Sequence, residues 1–209
     1  MAEQIAGNTR AQAQRSPEEL VLIGYLSQIG SISDAEFDQI FKLIKVRSYK
    51  KGKYLVREGG PGDTCYFVLR GCVRQFYIVD GIEKTTAFYT EGMPVSATFV
   101  YDNQASKFFL ICNEDTMLIE GKAEDEKKFF AQMPRMEMLS RVGVEKELQK
   151  SHEKMADFII KSPEERYLNL LETRPDLLDR VPQYQLASFL GVTPESLSRI
   201  RKRIMVNAR

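Results

Sequence analysis

The residues best suited to chemistry lie near the carboxyl end of the chain. Four basic residues fall within five positions: Arg199, Arg201, Lys202 and Arg203. The chain has 209 residues and a net charge of only +1, but residues 181–209 contain five basic residues and one acidic residue, Glu195, a net charge of +4. The 180 residues before them therefore carry −3. A basic tip on a slightly acidic body predicts that the tip binds a polyanion.

The segment around these basic residues has the pattern of a helix-turn-helix. Gly191 can end a first helix in the left-handed conformation, Thr193 can cap a second helix, and Pro194 suits the first position of that helix. Ala187 is small enough for the two helices to cross closely. Apolar residues form a shared seam: Leu186, Leu190, Val192, Leu197 and Ile200. The alternative is a helical hairpin in a domain of another kind, which leaves the polar face of the second helix unexplained.

That second helix, predicted over 194–205, carries residues suited to duplex DNA. The first turns of a recognition helix reach base edges, and later basic residues reach phosphates. Glu195 and Arg199 are four positions apart, so they share a face, where arginine can bind guanine and glutamate can accept from cytosine. Taken alone, the pair also fits a surface ion pair, and the basic cluster fits a solvated helix end. Within a helix-turn-helix we expect DNA contacts from these residues: Gln183, Tyr184, Thr193, Glu195, Ser196, Ser198, Arg199, Lys202 and Arg203.

Other classes of function find little support in the sequence. There is one histidine, no phosphate-binding glycine loop of P-loop spacing and no nucleophile–base constellation, so we predict no enzyme, no catalytic residue and no metal site. Three cysteines, an odd number without a Cys-x-x-Cys pair, predict no disulfide framework. No run approaches the ~20 apolar residues of a membrane span, and the first residues lack the apolar core of a secretory signal. We expect a cytoplasmic protein with no membrane partner.

Two kinds of secondary-structure pattern, helical and β-rich, precede the helix-turn-helix. Capping boxes at Ser16–Glu19 and Ser33–Glu36 predict two helices. Between about residues 46 and 121, six β-rich runs alternate with turn signals: KYLVRE, TCYFVLRG, CVRQFYIVD, KTTAFYT, KFFLICN and TMLIEG. Short, regular strands of this kind predict an antiparallel sandwich, barrel or jelly roll.

Helical patterns resume after the β-rich section. A helix is predicted over 123–133, a long helix over 135–161, and a third capping box at Ser162–Glu165 begins another, followed by the connector TRPDLLDR. An apolar stripe runs along the long helix: Leu148, His152, Met155 and Ile159. Such a stripe either packs on its own domain or forms a dimer seam, and we expect these residues at a dimer interface.

The sequence resembles the Crp/Fnr family of bacterial transcription regulators from about Phe41 onwards. The stretch YLVREGGPGDTCYFVLRGCVRQF is similar to the opening of the family's β-roll, the long helix to its dimerisation helix, and PESLSRIRK to its recognition helices. Glu195, Ser198 and Arg199 match the Glu-x-x-Ser-Arg arrangement of the Fnr branch. The resemblance implies that these three read bases, and that Glu195 and Arg199 read opposite strands of a G·C pair. It also implies a homodimer on a palindromic site and RNA polymerase as a partner.

The implied fold class is α+β: an antiparallel, jelly-roll-like β-roll with flanking helices, a long dimerisation helix and a small all-α helix-turn-helix domain. We divide the chain into a loose amino terminus (1–15), a cyclic nucleotide-binding-like β-roll domain (16–134), a dimerisation helix (135–161) and a DNA-binding domain (162–209). Two departures from the family are a missing iron–sulfur cysteine cluster and the lack of a convincing wing, since TRPDLLDRVP is short.

A third departure concerns the family's cyclic-nucleotide site. Ser96-Ala97 stands where binders have Gly-Glu, and Ala105-Ser106 stands where they have Arg-Ser. Lys107 could substitute as a point charge but lacks the bidentate fork of arginine. We therefore predict no response to cAMP and no cofactor. The aromatic character of the region fits a filled core, or a pocket for an unknown apolar or aromatic effector. The candidate pocket residues are Phe88, Gly92, Ser96, Ala97, Thr98, Ser106 and Lys107.

The sequence thus predicts a homodimeric, sequence-specific DNA-binding transcription regulator that does not respond to cAMP. The alternative is a sensor module for a small molecule, cyclic nucleotides included, whose carboxy-terminal helices dock on a protein partner.

Overall fold

The computed structural model describes residues 15–95 and 105–207. Two helices begin it, α1 (Pro17–Ile29) and α2 (Asp34–Leu43), and each starts with the predicted capping box. In α1 the amide of Glu19 donates to Ser16 Oγ at 3.2 Å, while the Ser16 amide donates to the Glu19 carboxylate at 2.7 Å. Both helix starts are therefore fixed by local sequence.

The β-rich section forms two four-stranded antiparallel sheets within the described residues. The strands are β1 (Lys45–Tyr49), β2 (Tyr54–Val56), β3 (Thr64–Arg70), β4 (Val73–Val79), β5 (Ile82–Tyr89), β6 (Pro94–Val95), β7 (Phe109–Cys112) and β8 (Thr116–Lys122). One sheet has the order β1-β8-β3-β6 and the other β2-β7-β4-β5. Val68, Val73, Leu110 and Leu118 are fully buried in a shared cluster, which is the core of the β-roll. The predicted antiparallel fold is confirmed.

Two strands were not among the predicted runs. Strand β1, KVRSY, is almost wholly exposed and pairs only along β8, in register from Lys45↔Glu120 to Tyr49↔Thr116. Strand β6 is a two-residue piece that pairs with β3 through Tyr66↔Val95. Neither has the alternation of apolar and polar residues that marks a half-buried strand, because both lie at an edge of the sheet.

The helices after the roll are α3 (Ala123–Gln132), α4 (Pro134–Ile160), α5 (Pro163–Thr173), α6 (Asp176–Arg180), α7 (Gln183–Phe189) and α8 (Pro194–Asn207). The amino-terminal half of α4 packs on the first helices, where Met136 and Leu139 join Leu22 and Leu26 in one buried cluster. The third capping box starts α5, as predicted. Helix α6 lies in the segment that we expected to be only a connector.

Helices α5 to α8 form a carboxy-terminal unit that packs on the β-roll. Their own buried residues include Tyr167, Leu170 and Leu177, and two residues of the roll, Cys72 and Phe88, belong to the same cluster. The Phe88 and Phe189 rings meet edge to face with centroids 5.4 Å apart. The roll and the carboxy-terminal unit therefore share one apolar interface.

Candidate nucleic-acid interface

The turn between α7 and α8 is built as its residue types require. Gly191 has φ +70°, and a Cβ added there would lie 2.9 Å from Phe158 Cζ, so only glycine fits without strain. The Ser196 amide donates to Thr193 Oγ1 at 3.2 Å, which makes Thr193 the cap of α8, and Pro194 occupies the first position. The turn thus sets the direction in which α8 leaves α7.

The two helices meet through the predicted apolar seam. Ala187 is fully buried, and Leu186, Leu190, Leu197 and Ile200 are all less than 10% exposed. These side chains pack on Tyr167 and Leu177 in the carboxy-terminal unit. Burial of the seam fixes which face of α8 turns inward and leaves the opposite face to solvent.

The outward face of α8 carries the predicted base and phosphate contacts. Glu195, Ser198, Arg199, Lys202 and Arg203 are exposed, and Ser196 is half-buried. Gln183 and Tyr184 are exposed in the first turn of α7. A surface depression connects the two helices and is lined by Gln183, Ser198, Arg201, Lys202, Met205 and Val206. The structure therefore brings Gln183 of α7 together with Ser198 and Lys202 of α8 on one surface.

The charges on this face are available for a partner. Hydrogen bonds from its own backbone amide and from Thr193, together with the Arg199 charge, lower the pKa of Glu195, so its carboxylate is ionised at neutral pH. Glu195 and Arg199 nevertheless form no ion pair within the described residues, where Arg199 and Lys202 also lack an acidic partner. Arg203 differs, because its Nη2 lies 2.7 Å from Glu164 Oε2 on α5. A phosphate contact by Arg203 would compete with that ion pair.

Sequence reasoning did not single out Arg166 on α5. Its Nη1 donates to the carbonyl oxygens of Phe158 and Lys161, and its Nε and Nη2 donate to the carbonyl oxygen of Leu190. These carbonyl oxygens lie at the carboxyl ends of α4 and α7. The last carbonyl groups of a helix have no hydrogen-bond partner within that helix. A polar residue in the first turn of an amphipathic helix gives no signal of such a role.

The predicted stripe on α4 is exposed within a single chain. Leu148, Met155 and Ile159 are 55%, 65% and 71% exposed, and His152 is also exposed. Val144 and Ile160 extend the apolar surface at either end. Helix α1 packs on the amino-terminal half of α4. The exposed apolar surface of α4 therefore lies in its carboxy-terminal half. An apolar surface of this length on one helix is typical of a surface that another protein covers.

Comparison with known proteins agrees with this architecture. Residues 46–133 match the cyclic nucleotide-binding domain family. No curated protein matches the sequence.

Solved structures that resemble most of the chain include transcription regulators. The c-di-GMP responsive global regulator CLP of Xanthomonas campestris has a TM-score of 0.66 at 19% identity, over 84% of this chain and 93% of that one. FixK2 of Bradyrhizobium japonicum has a TM-score of 0.64 at 21% identity, over 79% and 86%. The catabolite activator protein of Thermus thermophilus has a TM-score of 0.53 at 21% identity, over 85% and 86%. These neighbours are Crp/Fnr regulators, so the predicted resemblance is confirmed in the fold.

The candidate effector residues that the structure describes are dispersed over the β-roll. Phe88 packs on the carboxy-terminal unit, Gly92 lies in a turn with φ +78°, and Lys107 is exposed. Ser106 is buried, and its hydroxyl donates to the Phe108 carbonyl oxygen at 2.9 Å. Ser96, Ala97 and Thr98 lie outside the described residues. The pocket stays a prediction.

Two other kinds of feature are absent from the described part of the chain. Within residues 15–95 and 105–207, no group of three or more His, Cys, Asp or Glu side chains is placed to hold a metal ion. None of the helices in those same ranges is long and apolar enough to cross a membrane.

Proposed function

We propose that the chain is a sequence-specific DNA-binding transcription regulator of the Crp/Fnr type. The observation that carries this proposal is the outward face of α8. Its apolar side is buried against α7, and its exposed side presents an ionised Glu195 and the basic residues Arg199 and Lys202, in a segment of net charge +4. Acidic and basic residues together suit base edges in the major groove, where a purely basic face would bind phosphates alone.

The regulator acts as a homodimer through α4. The exposed stripe from Leu148 to Ile159 gives each copy the same apolar seam, which suits a two-fold interface. Two such copies would present two α8 helices to successive major grooves of an inverted repeat, ~34–36 Å apart. Residues 16–134 then serve as the sensor-like part, 135–161 as the dimerisation helix and 162–209 as the DNA-binding part. RNA polymerase is the expected partner of a regulator of this type.

DNA binding does not depend on cAMP in this proposal. At the positions where the family's nucleotide binders carry Arg-Ser, this chain has Ala105 and Ser106, and the Ser106 hydroxyl is already bonded to a backbone carbonyl. Arg74 is the buried arginine of the same domain, but its guanidinium contacts Thr85 Oγ1 and the Glu83 carboxylate. The Arg74 guanidinium is thus already paired with a carboxylate through Nη2, and its buried Nε is the one nitrogen of the group with no partner among the described residues.

The test is selection from a random duplex library at ~150 mM salt, with purified protein and no added ligand. The expected result is enrichment of an inverted repeat whose half-sites lie one helical turn apart. The selection is repeated with 1 mM cAMP, on the order of ordinary metabolite levels, and we expect the same sequence and the same affinity. Binding only in the presence of cAMP would overturn the cAMP-independent part of the proposal alone.

The second candidate function is a sensor module whose carboxy-terminal helices dock on a protein. The exposed apolar residues Met205 and Val206 beside the basic face favour it. Salt separates the two functions, because DNA affinity falls steeply between ~50 and ~200 mM salt and apolar protein docking falls much less. Absence of DNA binding at low salt would reject the regulator and favour the docking module.

A further inference from the structure

Three turns of the β-roll converge at the end that faces the carboxy-terminal unit. Gly71 lies between β3 and β4, Glu91 between β5 and β6, and Glu114 between β7 and β8. The Gly71 amide donates to Glu91 Oε1 at 2.7 Å, which ties the first two turns together. This end of the roll therefore carries two carboxylates with fixed positions.

Arg180 at the end of α6 binds both carboxylates. Its Nη1 and Nη2 donate to the two Glu91 oxygens at 2.8 and 2.9 Å, a bidentate pair, and its Nε donates to Glu114 Oε1 at 3.1 Å. The Arg180 side chain is 22% exposed and the two carboxylates about a third exposed, so water screens these pairs only in part. A planar guanidinium that engages two carboxylates fixes orientation as well as distance.

Further hydrogen bonds lie along the same interface between the β-roll and the carboxy-terminal unit. Arg174 donates to Thr90 Oγ1 at 3.0 Å, and Asn113 donates to Gln185 Oε1 at 2.7 Å. Along the edge strand β5, Ser188 Oγ accepts from the Thr85 amide at 2.9 Å and donates to the Glu83 carbonyl oxygen at 3.2 Å. The helix that carries Ser188 thus satisfies backbone groups that an edge strand leaves unpaired.

These contacts come from α6, from α7 and from Arg174 at the end of α5, and they do not involve the outward face of α8. The docked unit therefore keeps Glu195, Ser198 and Arg199 exposed. Docking of this kind does not cover the DNA-reading face. Instead it holds that face at one orientation relative to the roll and hence to α4.

We propose that Arg180 is a positioning residue that docks the DNA-binding unit on the β-roll through Glu91 and Glu114, with the reading face free. The functional part of this inference rests on the proposed DNA binding. An inverted repeat needs two recognition helices at a fixed spacing, and a tethered unit that is free to turn loses affinity for the pair of half-sites because its ordering opposes binding. A single half-site needs no fixed spacing, so its affinity is independent of docking.

The structure supplies an internal probe of docking that needs no DNA. Cys72 is fully buried in the cluster that joins the roll to the carboxy-terminal unit, and burial raises the pKa of its thiol to about 12. A buried, protonated thiol reacts with a disulfide reagent only after local opening. In full-length protein with Cys65→Ser and Cys112→Ser, the labelling rate of Cys72 therefore measures release of the unit.

The variants are chosen to separate docking from general stability. Arg180→Gln removes the pair, and Arg180→Lys keeps the charge without the fork. Arg135→Gln is the matched control, because Arg135 pairs with Glu36 between α4 and α2, away from the docking surface. In Arg180→Glu the new carboxylate repels the carboxylates of Glu91 and Glu114. Adding Glu114→Arg to that variant restores an attractive pair between positions 180 and 114.

We expect Arg180→Gln to label at Cys72 about tenfold faster than the parent, Arg180→Lys at an intermediate rate and Arg135→Gln at the parent rate. Arg180→Glu labels fastest, and adding Glu114→Arg slows it again. Equal rates in Arg180→Gln and the parent would overturn the docking role. If Arg180→Gln does not fold, the milder Arg180→Lys serves the same comparison, and a rate equal to the parent's overturns the proposal there too.

The DNA measurement uses the inverted repeat obtained by selection and a duplex with one half-site. We expect Arg180→Gln to bind the inverted repeat about tenfold more weakly and the half-site as tightly as the parent. Tighter binding of the inverted repeat would show that docking restrains the unit, which contradicts positioning. If the parent binds no DNA, the proposed function fails, while the labelling rates still decide whether Arg180 docks the unit.

Discussion

Arg166 binds the carbonyl oxygen of Leu190 through two nitrogens, Nε at 3.1 Å and Nη2 at 2.9 Å. Its third nitrogen, Nη1, donates to the carbonyl oxygens of Phe158 and Lys161 at 2.9 and 2.8 Å. The guanidinium carbon also lies 4.4 Å from the centroid of the Phe158 ring. One side chain thus joins the end of the long helix to the end of the first helix of the helix-turn-helix.

Arg166→Ala should lower the free energy of unfolding by roughly 2 kcal/mol, because it leaves the helix-end carbonyl of the buried Leu190 without its charged donor. Arg166→Lys keeps the charge but cannot reach acceptors on both helices, so we expect a smaller loss. Urea unfolding followed by circular dichroism measures both. An Arg166→Ala variant as stable as the wild type would show that water replaces the guanidinium at no cost.

Gly191→Ala should destabilise the protein for two reasons. The left-handed φ of +70° costs about 1 kcal/mol in a residue with a Cβ, and the new Cβ meets the Phe158 ring at 2.9 Å. Gly52→Ala is the matched control, since Gly52 has φ +83° but no atom within 4 Å of an added Cβ. Unfolding of both variants in urea isolates the Phe158 contact, and equal losses would mean that the ring moves aside freely.

The contribution of Glu91 to stability should depend on pH. Burial raises the pKa of this carboxyl, but hydrogen bonds from Arg180 and from the Gly71 amide outweigh burial and hold the pKa below its ordinary 4.5. A pKa that is lower in the folded state means that the stabilisation is complete above about pH 4.5 and is lost as the pH falls through the folded-state value.

The measurement is urea unfolding of wild type and Glu91→Gln between pH 7 and pH 3. We expect Glu91→Gln to be less stable at pH 7 and the difference to shrink below about pH 4.5. Glu172→Gln, which removes an exposed carboxylate from α5, controls for the change in net charge. A difference that stays constant down to pH 3 would contradict the assigned role of the ionised carboxylate.

Local signals explain how much of the fold was predictable. The three capping boxes predicted the starts of α1, α2 and α5 because each box satisfies helix amides with residues three positions apart. The alternating runs predicted six of the strands because alternation of apolar and polar residues is also a local pattern. Helix α6 was missed because its five residues sit between two prolines and show too little periodicity to indicate a helix.

The contacts that orient the candidate site were not predictable in this way. Arg180 and Glu91 are separated by 89 positions, and neither stands out in its own segment. Phe88 shows a related limit. Successive strand residues face opposite sides, and Tyr89 turns inward to donate to Gln75 Oε1 at 2.8 Å while Phe88 turns to the carboxy-terminal unit. The sequence indicates that strand β5 has two faces. Which face points into the roll and which contacts the carboxy-terminal unit depends on how that unit packs.

Ile159→Glu should prevent dimer formation, because it places a charge within an apolar seam that a second copy would bury. Its side chain is 71% exposed in the single chain, so the fold of the monomer should be unaffected. Lys150→Glu is the control, since residue 150 lies on the opposite side of α4 from the stripe. Sedimentation velocity should show a dimer for wild type and Lys150→Glu and a monomer for Ile159→Glu. A dimeric Ile159→Glu would place the interface elsewhere.

Arg199 and Lys202 should differ in what their removal does to DNA binding. Both are exposed on α8, but Arg199 shares a face with Glu195 in the first turns, where base edges lie, and Lys202 is one turn further on, where phosphates lie. We expect Arg199→Ala to cost roughly 1–3 kcal/mol per half-site and to relax preference at one base pair. Lys202→Ala should weaken all sequences alike and reduce the salt slope by about 1 for each phosphate that is no longer neutralised.

Titrations of the selected repeat and of its single-base variants, at several salt concentrations, measure both effects. Lys127→Ala on α3 removes an exposed charge far from the helix-turn-helix in sequence and controls for net charge. Unchanged base preference in Arg199→Ala would mean that α8 lies on the DNA through its charges alone. The protein would then bind any DNA duplex through the negative charge of its phosphates. The exposed carboxylate of Glu195 would oppose that binding instead of reading a base.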